Sequence, residues 1–185
     1  MYTISELPIK GVKIPVALLD ILYFPDNRLR KKADPVEIVD DNCRSLAKNM
    51  LETMYHSHGI GLAATQVNIQ KRLIVIDLSL EKNEAICLIN PEILSSEGTE
   101  ESQEGCLSVP EYFDMVTRAE KISYRYMNPN GEVIEDEADG LLSICIQHEI
   151  DHLDGKLFID YLSPMKRQRL RKKIDKQEKF QATVL

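Results

Sequence analysis

Apolar residues recur at spacing four through Leu46, Met50 and Met54, the repeat of a helix that buries one face. An Asp40-Asp41-Asn42 start and a Gly59-Ile60-Gly61 end predict a helix over residues 41–58. Residues 72–78 are rich in β-branched and aliphatic side chains. A second short strand over 85–89 should close at Asn90-Pro91. Ile122, Tyr124 and Tyr126 then alternate with polar neighbours, and Asn128-Pro129-Asn130-Gly131 turns the chain into residues 132–137, which predicts a hairpin. The run Leu141-Leu142-Ser143-Ile144-Cys145-Ile146 opens a buried helix that reaches His152 and ends at Asp154-Gly155. Ser163-Pro164 supplies a cap and a first-turn proline for a C-terminal helix with a thin seam of Leu170 and Ile174.

Composition narrows the class. The 185 residues are 43% hydrophobic and 29% charged, as expected of one globular domain with a real core. No internal repeat or compositional break marks a second unit. The expected organisation is a single catalytic domain over 1–185, with residues 1–16 an N-terminal extension and 164–181 a basic helix. No apolar stretch approaches the roughly 20 residues of a membrane span, and the N-terminus lacks a secretory pattern, so a cytoplasmic location is expected. Cys43, Cys87, Cys106 and Cys145 form no tight pairing motif and should be reduced. The net charge of −7 argues against whole-surface nucleic-acid binding, but it hides segregation. Residues 165–180 hold eight Lys/Arg against two acids, leaving 15 basic and 28 acidic residues elsewhere.

The chemistry is concentrated in His148-Glu149-Ile150-Asp151-His152, an H-E-x-x-H pattern. Residues four apart share a helix face, so His148 and His152 can hold one metal with Glu149 beside it. The fold expected is therefore α+β, with antiparallel or mixed sheets wrapped around a central metal-binding H-E-x-x-H helix and a C-terminal helix following. Catalytic sites of this kind need a third protein ligand. The extended protease pattern ends in a further histidine, but Phe158 stands there. Cys145 lies seven residues before His152, about 10.5 Å along the axis, which makes it a better core residue than ligand. Cys106, in Gln103-Glu104-Gly105-Cys106-Leu107-Ser108-Val109-Pro110, is the stronger candidate. Spacing alone leaves it open between a ligand and a buried strand cysteine.

Three segments in order resolve that choice by resemblance. Gly59-Ile60-Gly61-Leu62-Ala63-Ala64-Thr65-Gln66, Glu104-Gly105-Cys106-Leu107-Ser108 and Gln147-His148-Glu149-Ile150-Asp151-His152 together resemble the three motifs of the peptide deformylases. The likeness runs from about Leu18 to the C-terminal helix. It implies a hydrolase that removes the formyl group from formyl-methionyl nascent peptides and releases formate. Cys106, His148 and His152 would bind the metal, and Glu149 would act as general base on its water and then protonate the leaving amine. Gln66 and the Leu107 N–H would stabilise the oxyanion. Gly59, Ile60 and Gly61 would hold the peptide by its backbone, with Ile60, Leu141, Ile144 and the His148 ring around the methionine side chain. The donor set alone suggests zinc. The resemblance implies one Fe²⁺ per chain, replaceable by Zn²⁺, Ni²⁺ or Co²⁺. It also implies docking near the ribosomal exit tunnel through Lys166, Arg167, Arg169, Arg171, Lys172 and Lys173. Truncation after Pro164 should then weaken docking and spare turnover. A monomer is expected. A metallopeptidase and a non-catalytic peptide binder are the rival readings.

Overall fold

The computed structural model describes residues 17–184. The expected extension over residues 1–16 lies outside the described residues. Helix α1, Asp41–His56, begins where the Asp40 carboxylate accepts from the Cys43 N–H, the usual satisfaction of a free helix-start donor. Its Met50 and Met54 are fully buried and Leu46 packs beside them, as the spacing required. The helix stops short of residue 58 because His58 takes a left-handed conformation.

Seven strands follow: β1 Gly61–Ala63, β2 Leu73–Ile76, β3 Ile86–Glu97, β4 Glu100–Cys106, β5 Val109–Arg118, β6 Lys121–Met127 and β7 Val133–Asp139. They form a five-stranded sheet in the order β1-β2-β3-β6-β7 and a separate two-stranded sheet of β4 and β5. The β6–β7 hairpin matches the predicted one. β3 runs well past the Asn90-Pro91 stop. Asn90 has positive φ, and the ladder with β6 shifts register between Ile89 and Glu92, so the proline sits in an irregularity and the strand continues. Helix α2, Gly140–Leu153, packs against β1, β2, β6 and β7. A 3-10 turn at Phe158–Tyr161 leads to helix α3, Pro164–Val184.

The sheet separates two cores. Met50, Met54, Leu62, Leu73, Val75 and Ile89 pack on the α1 side, while Ile74, Ile76, Leu88, Ile122, Ile146 and Leu153 pack on the α2 side. A third cluster, with Leu22, Phe24, Val109, Val116, Phe158 and Leu170, joins the β4–β5 sheet to the start of α3 and touches Cys106.

Every pairing between the named strands is antiparallel, one of the two sheet types expected. The expected architecture needs correction in one respect. The metal-ligating group is Cys106 with His148 and His152, so the fold is not organised around a helix that binds metal through H-E-x-x-H by itself. The helix contributes two donors, β4 contributes the third, and Glu149 is outside the group. A cation with tetrahedral preference needs donors from more than one direction, which a single helix face does not supply.

Candidate metal centre

β4 ends at Cys106, a tight turn carries Leu107 and Ser108, and β5 starts at Val109. This turn holds the cysteine over α2, where His148 and His152 are both buried. One ligand atom from each of the three residues lies within 4.8 Å of the others. Cys106 Sγ stands 3.2 Å from His152 Nε2, close to the roughly 3.5 Å expected between neighbouring tetrahedral ligands of one ion. A sulfur and two imidazole nitrogens suit a borderline or soft divalent metal. The residues present therefore fit the ion that the pattern implies.

Glu104 orients the site from behind. Its carboxylate lies 2.7 Å from His148 Nδ1, which leaves Nε2 as the nitrogen free to ligate. Arg118 grips both Glu104 oxygens, donating through Nε to Oε1 at 2.7 Å and through Nη2 at 3.0 Å to Oε2, the oxygen that also faces His148. Arg118 also donates to Asp151, whose other oxygen accepts from the Tyr161 hydroxyl at 3.1 Å. Burial alone would push the Glu104 carboxyl up. The His148 and Arg118 hydrogen bonds and the guanidinium charge outweigh it and hold the group at about 2. The chain thus spends two buried carboxylates on one buried arginine and keeps His148 in a fixed orientation.

Glu149 is treated differently. One of its oxygens is buried with no hydrogen-bond partner among the described residues. Burial pushes its carboxyl up to about 7, against the opposing charge of His148. A carboxyl in that range can both accept and return a proton near neutral pH. Gly61 makes room for it, since a Cβ there would come within 3.0 Å of Glu149 Cδ and of Cys145 Sγ. Cys145 is therefore wall, buried beside the site and outside the ligand group.

Gln66 is buried in a 3-10 turn, Ala64–Val67. Its Oε1 accepts from the Ala63 N–H at 2.8 Å, and its Nε2 donates to Ser108 Oγ at 3.1 Å and reaches Cys106 Sγ at 3.6 Å. The Leu107 N–H makes no hydrogen bond among the described residues, and the Leu107 side chain packs at Gly59. Of the remaining candidates, Ile60 and Leu141 are exposed and Ile144 is buried one turn before His148. Asp160, on the 3-10 turn after α2, pairs with Arg30 and is outside the ligand group.

Sequence reasoning missed the Glu104–Arg118–Asp151 network. Glu104 and Asp151 both sat inside recognised motifs. Nothing local, however, marks Arg118 as their common partner, because it lies 14 and 33 residues away from them.

Comparison with known proteins agrees with this geometry. The polypeptide deformylase family model matches residues 18–168. The peptide deformylase of Pseudoalteromonas translucida is 58% identical over 165 residues, covering 89% of this chain and 99% of that protein. The crystal structure of a peptide deformylase from Legionella pneumophila superposes with a TM-score of 0.84 at 50% identity, over 90% of this chain and 98% of that one. A Met-Ala-Ser bound class I type b peptide deformylase from Acinetobacter baumannii matches with a TM-score of 0.75 at 33% identity, over 80% of this chain and 100% of that one. Motifs, donor cluster and whole-chain likeness agree, and the chain belongs to the polypeptide deformylase family.

Proposed function

We propose that this chain hydrolyses the formyl amide at the N-terminus of formyl-methionyl nascent peptides and releases formate. The observation that carries the reading is the Cys106–His148–His152 donor group beside an unpartnered, buried Glu149 in a chain of this family. A divalent cation held by those three donors supplies a Lewis acid that polarises the formyl carbonyl and acidifies water.

The protein's own groups do the rest. Glu149 takes a proton from the attacking water and returns it to the departing amine, a dual role suited to a carboxyl at about 7. The Gln66 amide and the Leu107 N–H donate to the oxygen of the tetrahedral centre. Support for this comes from Gln66 Nε2 facing Cys106 Sγ and from the free Leu107 N–H. Gly59, Ile60 and Gly61 hold the peptide extended along β1, an edge strand of its sheet. The relative with Met-Ala-Ser bound supports a peptide that begins with methionine as the ligand. Ile60, Leu141, Ile144 and the His148 ring surround the methionine side chain.

The ion is Fe²⁺, with Zn²⁺, Ni²⁺ or Co²⁺ able to occupy the same donors. The chain works as a monomeric single domain, residues 1–185, in the cytoplasm. Among the described residues, no helix is long and apolar enough to cross a membrane. Its basic helix docks near the ribosomal exit tunnel through Lys166, Arg167, Arg169, Arg171, Lys172 and Lys173, whose exposure supports that reading. Formate release from formyl-Met-Ala-Ser by wild type and Glu149→Ala tests the hydrolytic reading. Equal rates, or cleavage of an internal peptide bond instead, would sink it.

A further inference from the structure

The 3-10 turn Phe158–Tyr161 brings two rings to the back of the metal centre. Side chains three apart eclipse in such a turn, so Phe158 and Tyr161 point the same way. Phe158 is buried, with its ring stacked on that of His148 at 6.1 Å between centroids. Tyr161 lies over Arg118, whose Cζ stands 4.7 Å from the centre of the phenol ring. The turn is itself held in place. Asp160 accepts from the Leu157 N–H at 2.9 Å and pairs with Arg30.

Tyr161 constrains Arg118 in two ways. Its ring covers the guanidinium, since Tyr161 is 50% exposed whereas Arg118 beneath it is 5% exposed. A cation gains from an aromatic face, and excluding water strengthens the hydrogen bonds and charge pairs below it. The Tyr161 hydroxyl donates to Asp151 Oδ1 at 3.1 Å, which leaves Oδ2 for Arg118 Nη1. Arg118 thus meets Glu104 with its orientation already fixed, and Glu104 Oε2 in turn faces His148 Nδ1. A continuous path of contacts runs from the protein surface at Tyr161 to a metal ligand. Packing alone accounts for the ring, but not for a hydroxyl placed on the carboxylate that shares the same arginine.

We propose that Tyr161 is a positioning residue for the metal centre, acting through Arg118 and Glu104 to hold the His148 imidazole in its ligating orientation. The inference rests on the metal-centre reading of Cys106, His148 and His152. Its test measures Co²⁺ affinity by chelator competition and, by NMR on isotope-labelled Zn²⁺-loaded protein, exchange of the His148 Nδ1–H with water. Tyr161→Leu should weaken Co²⁺ binding by about tenfold and speed that exchange. Tyr161→Phe, which keeps the ring over the guanidinium, should recover most of both. In a Glu104→Gln background, Tyr161→Leu should cost no further affinity, because its effect passes through Glu104. Leu73→Ala, in the core on the far side of the sheet, should lower the urea midpoint at least as far while leaving affinity and exchange as in wild type. Tyr161→Met takes the place of Tyr161→Leu if the latter does not fold. Affinity and exchange unchanged by loss of the ring, an equal loss in Leu73→Ala, or full additivity with Glu104→Gln would overturn the role of Tyr161. Co²⁺ binding that is absent from wild type, or unaffected by Cys106→Ala, would defeat the metal-centre reading itself.

Discussion

The Glu104 carboxylate lies 2.7 Å from His148 Nδ1 while Arg118 grips both its oxygens, so the metal ligand is oriented by a buried ion pair and not by its helix alone. Removing one member of such a pair leaves an uncompensated buried charge. Glu104→Gln keeps a hydrogen-bond partner of similar shape but removes the charge. Metal affinity should fall by about 10- to 100-fold, measured by competition with a chromogenic chelator. An unchanged affinity would show that His148 needs no such partner.

Cys106 supplies the donor that the helix lacks. Cys106→Ala should lose the ion on gel filtration, and chelation of wild type should abolish formate release reversibly, with activity returning on addition of Fe²⁺ or Co²⁺. Metal analysis of anaerobically purified protein should find iron. Zinc alone, with full activity, would contradict the assignment of the ion.

Glu149 is buried and lacks a partner for one oxygen. Glu149→Ala should lower kcat by about 10²- to 10⁴-fold while the metal content stays near one per chain. Loss of metal in parallel would make Glu149 a ligand and not a proton carrier.

Gly61 leaves the space that Glu149 and Cys145 fill. Gly61→Ala should therefore displace the Glu149 carboxyl and reduce kcat, with little change in the denaturation midpoint. A variant as active as wild type would mean that the carboxyl has other room.

Leu170 is 3% exposed and packs in the cluster that contains Phe158 and touches Cys106, and Lys166 bonds Asp114 on β5 at 2.6 Å. Leu170→Ala should destabilise the protein by about 2–5 kcal/mol, seen as a lower urea midpoint. Truncation after Pro164 would strip this packing together with the basic residues, so it should not spare turnover. Charge reversal at Arg169, Lys172 and Lys173, all exposed, separates docking from stability. Ribosome co-sedimentation should weaken and become less salt-dependent, with formyl-peptide turnover unchanged.

Much of the fold was legible because its elements are locally consistent. Leu46, Met50 and Met54 repeat at helical spacing and are buried together, and the 128–131 turn returns β6 into β7 as its residues require. The β4–β5 pair was not legible. Its inward face carries Ser102, Glu104, Tyr112, Asp114, Val116 and Arg118, a mostly polar set that breaks the alternation by which strands are read. The same polarity is what the buried network needs.

By itself the chain's sequence determined the chemistry on offer: two histidines four apart, a glutamate beside them, a glycine-flanked cysteine, and motifs in deformylase order. Only the tertiary structure decided which residues share the site. It brought Cys106 to His152 across 46 residues, set Arg118 between Glu104 and Asp151, and laid Tyr161 over Arg118. Spacing along a helix is a local property with one period, whereas ligation and charge pairing between strands and helix depend on how separate elements pack, and no local pattern encodes that.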